Sequence, residues 1–431
     1  MAWQSWTMAL TFEPRSDLGV DDIELSDPLF WALPEEEREG AFATLRQERP
    51  ISFHEERDYG LFPQGPGYWA LSRHRDVLDA SRQPDLFCSG KGSNIGDMPE
   101  PFLDFFGSMI NMDDPRHARL RRIVSRGFTP RHLADLQDSV ELRAKDIVDR
   151  LLDKGRCDFV TDVAAALPLA IICDMMGIPE SQYEFVFDRT NIILGAGDPE
   201  YVADVNEVVG ALLTAGAELA QLVQELGAER RANPTDDLTS ALVNTDVDGE
   251  MLTDEELGPF FVLLVVAGNE TTRNAISHGM HLLTENPDQK QAWVDDVDGL
   301  ATSAVEEIVR WATPVIHFRR TVTQDGATLG GQEFKEGDKV VLFYNSANRD
   351  EALFDQPFAF DLARDPNPHV GFGGPGPHFC LGAHLARREI TVMFKELLTR
   401  VPGIAAVGEP DRLLSNFIHG IKHLDVDVAP G

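Results

Sequence analysis

The chain has 431 residues, 43% of them hydrophobic and 26% charged, a balance that supports a large buried core and sets aside disordered and fibrous classes. Its 72 acidic against 38 basic residues leave a formal charge of −34. A field of that sign repels phosphate backbones and anionic lipid, which argues against nucleic-acid binding and polybasic membrane attachment.

Four cysteines, Cys88, Cys157, Cys173 and Cys380, lie far apart with no CxxC pair and no close Cys/His cluster. A disulfide framework or a zinc finger does not fit that spacing, and a reducing cytoplasm does. No apolar run reaches the roughly 18 to 20 residues of a membrane helix, and the N-terminus lacks a basic stretch followed by an apolar core, so neither export nor a membrane anchor is expected. Residues from 1 to about 25, including Trp3 and Trp6, read as a loosely ordered arm.

Along the chain, residues 26–152 carry helical patterns interrupted by an extended piece at 68–71 and a Pro/Gly-rich loop at 88–102. Residues 160–283 are nearly all helical, and strand patterns such as 339–344 gather in the last third. No linker, charge block or internal repeat divides the sequence. The expectation is a single large domain over 1–431, mainly α with a minor β part.

The longest helix opens at Thr253-Asp254-Glu255-Glu256, the spacing of a capping box, and runs to Asn286 before Pro287. Its middle, 260–267, is apolar all round, as a helix through a core should be. Ala267-Gly268-Asn269-Glu270-Thr271-Thr272 follows. A glycine, an acid and two hydroxyls are costly inside a buried helix, about 1 kcal/mol for the glycine alone, and such local conflicts favour functional sites. Two readings stand: a kink with Thr hydroxyls bonded back to carbonyls, or a place where Gly268 lets a ligand approach and Thr271 offers a proton.

A second segment bears on the choice. Phe372-Gly373-Gly374-Pro375-Gly376-Pro377-His378-Phe379-Cys380-Leu381-Gly382 precedes an amphipathic run in which Leu385, Ala386, Ile390, Met393 and Leu397 recur at helical spacing. Cys380 therefore sits at a helix mouth, where free N–H groups and the helix dipole lower a thiol pKa and the glycines permit close turns. One thiolate with no second soft ligand suits a haem iron better than zinc or a cluster.

With these residues the sequence resembles the cytochrome P-450 family of haem-thiolate monooxygenases, in particular its soluble bacterial members. The resemblance covers nearly the whole chain and implies a fold holding haem b between the long central helix and the helix after the cysteine. It assigns Cys380 as the metal ligand and Ala267, Gly268, Glu270, Thr271 and Thr272 to the oxygen-activating helix, with Thr271 and Glu270 delivering protons. Glu307-Ile308-Val309-Arg310 matches the family's ExxR, expected as a buried pair reaching the segment around Asn348-Arg349-Asp350. His117 and Arg121, one helical turn apart, with Arg320 and His378, take the propionate-binding roles, and Arg319 competes for that of Arg320. Phe372 stands eight residues before Cys380 where seven is common, a longer loop shared with actinobacterial enzymes acting on sterol side chains and branched lipids.

The resemblance further implies insertion of one oxygen atom from O2 into a C–H bond of a hydrophobic substrate such as a branched lipid, terpenoid or sterol. Apolar segments at 105–112, 185–194, 260–265, 315–318 and 417–418 are the candidate pocket walls. A peroxide-driven peroxygenase, a haem isomerase and a non-catalytic haem protein are the alternatives, and the Glu270–Thr271 pair favours the monooxygenase. No electron-transfer segment is fused to the chain, so a ferredoxin and its reductase are the expected partners of a monomer. The arginines at 116, 119, 121, 122, 126 and 131, with Arg387 and Arg388, form a candidate basic docking patch.

Overall fold

The protein is seen in a computed structural model that describes residues 11–15, 17–57, 64–98, 100–128, 137–244 and 251–429. Seven helices frame its interior: α1 (Arg116–Val124), α2 (Ala166–Met176), α3 (Tyr183–Gly195), α4 (Val208–Ala232), α5 (Asp254–Glu285), α6 (Val297–Ala312) and α7 (Ala383–Arg400). α5 is the spine, 32 residues long and therefore roughly 48 Å from end to end. It starts at the expected capping box: Thr253 Oγ1 accepts the Glu256 N–H at 3.3 Å, and the Glu256 carboxylate accepts the Thr253 N–H at 3.1 Å. Asn286 caps the other end.

α7 lies along α5 and α6, close enough that a Cβ at Gly279 would stand 2.6 Å from the Phe394 ring. That contact belongs to the largest buried apolar cluster, which gathers side chains from all seven helices. Two smaller clusters lie beside a mixed sheet of five short strands, β1 (Ile51–His54), β2 (Tyr68–Leu71), β3 (Phe87–Cys88), β4 (His317–Val322) and β5 (Lys339–Phe343), in the order β1-β2-β5-β4-β3. β5 runs parallel to β2 and antiparallel to β4. The architecture is the expected mainly α fold with a minor β part.

The chain is packed well before residue 25. Ile23 and Leu25 are buried, the Thr11 N–H donates to the Phe358 carbonyl at 3.0 Å, and the Phe12 ring meets Trp311 edge-on at 5.6 Å. The loose arm expected over 1–25 is therefore shortened, because its apolar residues cover the core; Trp3 and Trp6 lie outside the described residues. Among the described residues no helix is long and apolar enough to cross a membrane, and all four cysteines are unpaired.

Candidate active site

The site is built on a fully buried ion-pair network at the end of α6. Arg310 donates to both Glu307 oxygens at 2.7 Å and reaches the Asn348 and Pro357 carbonyls at 3.0 Å, and neither side chain is exposed. Glu307 also accepts from Arg364 and Asn367, each at 3.1 Å, and from the Asp361 N–H at 2.9 Å. Buried charges persist only when paired and hydrogen-bonded this completely. Val370, which leads into the cysteine loop, is tied to this hub through its N–H to Asn348 Oδ1 at 2.7 Å.

From there the loop turns tightly. Gly373 has φ 87° and its N–H donates to the Val370 carbonyl at 2.9 Å, while a Cβ at Gly376 would fall 2.4 Å from the Ser81 carbonyl oxygen. The Cys380 N–H donates to the Phe372 carbonyl at 3.0 Å, closing the loop just before α7 begins. Cys380 is exposed as a residue, yet desolvation by the protein packed around its sulfur raises the thiol pKa, opposed by the Gly382 N–H and by the charges of Arg121 and Arg387. The lowering expected from a helix mouth is thus present but smaller than the desolvation.

Four of the expected cofactor-binding residues converge beside this thiol. Arg121 of α1 donates to the Phe379 carbonyl at 2.6 Å, and the His117 and His378 rings lie 4.3 Å apart. Burial, then Arg320, His117 and Arg121, hold His378 down to about 3. Burial and Arg121 likewise lower His117. His117 Nε2 is buried without a hydrogen-bond partner, and its Nδ1 faces Asp114 at 3.5 Å. Donors and cations collected around an orphaned nitrogen and a thiol fit the two propionates and the axial ligand of haem. Successive strand residues point to opposite sides, which separates the two competing arginines of β4. Arg319 pairs with Asp97 at 2.6 Å, whereas Arg320 acts on His378.

α5 supplies the facing wall. Ala267 and Thr271, one turn apart, line a cavity of about 560 Å³ together with Val262, Leu263, Val266 and Phe318. Each of the five apolar segments singled out in the sequence contributes to that lining. The Thr271 hydroxyl donates to the Ala267 carbonyl at 2.7 Å, so it bonds back along the helix while remaining at the cavity. Glu270 points elsewhere: it is buried, ion-paired with Arg273, and accepts from Asn274 Nδ2 at 3.0 Å. Gly268 is tightly packed against a neighbouring helix. A Cβ there would stand 2.3 Å from Ile172 Cδ1 of α2, so its smallness serves helix packing.

The family model described as Cytochrome P450 matches residues 206–401. A methyl-branched lipid omega-hydroxylase of Mycobacterium tuberculosis is 51% identical over 416 residues, spanning 96% of each chain. The chain belongs to the cytochrome P450 family. A steroid C26-monooxygenase of Mycolicibacterium smegmatis is 41% identical to this cytochrome P450 over 406 residues, covering 92% of this chain and 90% of that protein. The solved structure of a Mycobacterium marinum cytochrome P450 in complex with pseudoionone superposes with a TM-score of 0.90 at 46% identity, over 94% of this chain and 98% of the other. As a cytochrome P450 the protein is a haem-dependent monooxygenase, with iron held by a cysteine thiolate.

Several residues of this cytochrome P450 escaped the sequence reading. Arg273 stands three residues after Glu270, a spacing that signals a pair on one helix face. Glu389 of α7 is buried next to Thr272, and burial pushes it up to about 8; inside Arg387-Arg388-Glu389 it reads as a surface charge. The proposed basic patch is partly neutralised. Arg119 pairs with Glu256 at 2.6 Å, Arg387 with Glu306 at 2.5 Å, and Arg388 with Glu141. Arg116 and Arg122 are exposed, Arg131 lies outside the described residues, and so does the Arg126 side chain.

Proposed function

We propose that this monooxygenase hydroxylates a long apolar substrate, a methyl-branched lipid, terpenoid or sterol, at or near a chain end, with Cys380 as the thiolate that would hold the haem iron. The observation that carries this reading is an apolar cavity of about 560 Å³ walled by Ala267 and Thr271 of α5, the helix that packs along α7, at whose mouth Cys380 stands. A cavity of that size and lining takes a hydrophobic molecule of lipid or steroid dimensions. The activities named for the methyl-branched lipid omega-hydroxylase and the steroid C26-monooxygenase support the same substrate class and the same end of the molecule.

Bound haem supplies oxygen activation at a thiolate-ligated iron. His117, Arg121, Arg320 and His378 bind its propionates. The Glu307–Arg310 hub fixes the loop that presents Cys380. Thr271 holds a water and passes a proton at its Oγ1, exchanging its bond to the Ala267 carbonyl as it does so. Glu270, held by Arg273 and Asn274 and turned from the cavity, fixes the turn of α5 that presents Thr271 to that water. The apolar lining excludes bulk water and sets which chain enters.

Electrons come from a separate ferredoxin, served by its reductase and docking near the exposed Arg116 and Arg122. The protein works as a monomer in the cytoplasm, where its four unpaired cysteines remain reduced. Titrating the haem-loaded protein with branched fatty acids, terpenoids and sterols tests the substrate class. The expected result is the spectral shift of water displaced from iron by at least one of these and by no small polar aromatic; the reverse pattern contradicts the reading.

A further inference from the structure

Between α6 and α7 lies a charge cluster that the ExxR network does not use. Glu306, adjacent in sequence to Glu307, points the other way and takes both Arg387 Nε at 2.5 Å and Arg387 Nη2 at 2.9 Å. His369 Nε2 lies 2.8 Å from the same carboxylate, while His369 Nδ1 accepts the Gly371 N–H at 3.1 Å. That backbone bond fixes the tautomer, so Nε2 carries the proton given to Glu306. Burial opposes ionisation of Glu306, but the hydrogen bonds from His369 and Arg387 hold its pKa down to about 2. The carboxylate is therefore a permanent counter-charge.

Clamped in this way, the Arg387 guanidinium lies 4.2 Å from the centroid of the Phe372 ring, and the carbonyl of that same Phe372 accepts the Cys380 N–H. A two-point carboxylate and a stacked aromatic hold the planar cation in one place. Its side chain is one-third exposed, so the charge is partly shielded from solvent and less screened than a surface arginine. Arg387 follows Cys380 by seven residues, about two turns along α7, and stacks on the residue whose carbonyl takes the Cys380 N–H, so its cation is held against the cysteine loop.

We propose that Arg387 is the fixed positive charge that sets the electrostatic bias on the iron–sulfur bond of Cys380, with Glu306 and His369 as positioning residues that hold and partly offset it. This rests on the assignment of Cys380 as the iron ligand. A nearby positive charge stabilises the reduced, more negative iron–thiolate unit, and a nearby negative charge destabilises it. The two partners of one ion pair therefore have opposite effects on the reduction potential.

Spectroelectrochemical titration of the haem-loaded protein tests this. Arg387→Gln is expected to move the one-electron potential downward and Glu306→Gln to move it upward, while Arg387→Lys, which keeps the charge, stays near the parent. Shifts in the same direction, or no shift in either variant, would mean that the cluster only braces the loop and would overturn the proposal. Should Arg387→Gln fail to take up haem, Arg387→Lys against Glu306→Gln still decides the matter, since a bracing role gives both a shift of one sign or none. Absence of the thiolate-type carbon monoxide band in the parent protein would instead strike the Cys380 assignment, separately from this inference.

Discussion

The two walls of the site are made of opposite material. Behind the cysteine loop stand Glu307, Arg310, Arg364 and Arg349, buried charges bound to one another or to backbone carbonyls. Across from it, α5 presents Val262, Leu263, Val266 and Ala267 to the cavity, with Thr271 as the polar group on that stripe. The charged wall behaves as all-or-none, because removing one partner strands another charge away from water. The apolar wall behaves gradually, because hydrophobic contacts change with volume. Position of the iron ligand is thus assigned to the first and choice of substrate to the second.

The largest effect should come from the charged wall. Glu307→Gln leaves Arg310 and Arg364 buried without their carboxylate, and a loss of about 3 to 5 kcal/mol is expected, read as a fall in denaturant midpoint together with loss of haem uptake. A variant of parental stability would erase the contrast between the walls. Next comes the polar point of the apolar wall. Thr271→Ala should leave stability within about 1 kcal/mol, since it removes one helix-backbone hydrogen bond, yet cut product formed per oxygen consumed about tenfold or more as peroxide accumulates. Unchanged coupling would reduce Thr271 to a helix residue.

A smaller and more selective change tests the gradual wall. Val315 lines the cavity and is absent from the main buried cluster, so Val315→Phe should weaken binding of a bulky sterol by about 1 to 3 kcal/mol relative to a slender branched chain, with haem content unaltered. Equal loss for both ligands would mean that the wall does not discriminate by shape. The smallest effect lies away from both walls. His423, about half exposed, bridges Asp158 at 2.7 Å and Glu200 at 2.9 Å. The hydrogen bond to Asp158, then that to Glu200, raise its pKa in spite of partial burial. Its stabilisation is complete below the unfolded value of about 6.5 and fades as pH rises through the higher folded value. The unfolding free energy of His423→Gln, from denaturant titration, should therefore lie slightly below the parent's in mild acid, by no more than about 1 kcal/mol, and match it in alkali. A difference that widened with pH would be the wrong sign.

The same contrast explains what the sequence could be made to say. The capping box at Thr253 and the Glu307–Arg310 pair were legible because each is a short-range spacing on one helix. Ala267 and Thr271 were reached through the motif that the sequence shares with the family, not through a spacing argument. Arg364 and Asn367, which complete the shell of Glu307, come from 57 and 60 residues away, and no local pattern announces such partners. The faces of Arg319 and Arg320 depend on how β4 pairs with β5, a tertiary matter. Gly268 shows the same limit: a glycine marks close approach, but only the fold shows that Ile172 lies against it. Arg387 was visible as part of a basic patch, but Glu306 had no local signal of its own and the link between α6 and α7 that joins them is tertiary.

The account stands or falls on Cys380. The measurement is the carbon monoxide difference spectrum of the reduced, haem-loaded protein, compared between parent and Cys380→Ser. The parent should show the band at about 450 nm that thiolate ligation gives, and the serine variant should lose it entirely. A band retained in Cys380→Ser, or missing from the parent under conditions where haem is fully bound, would contradict the assignment of the iron to this helix mouth.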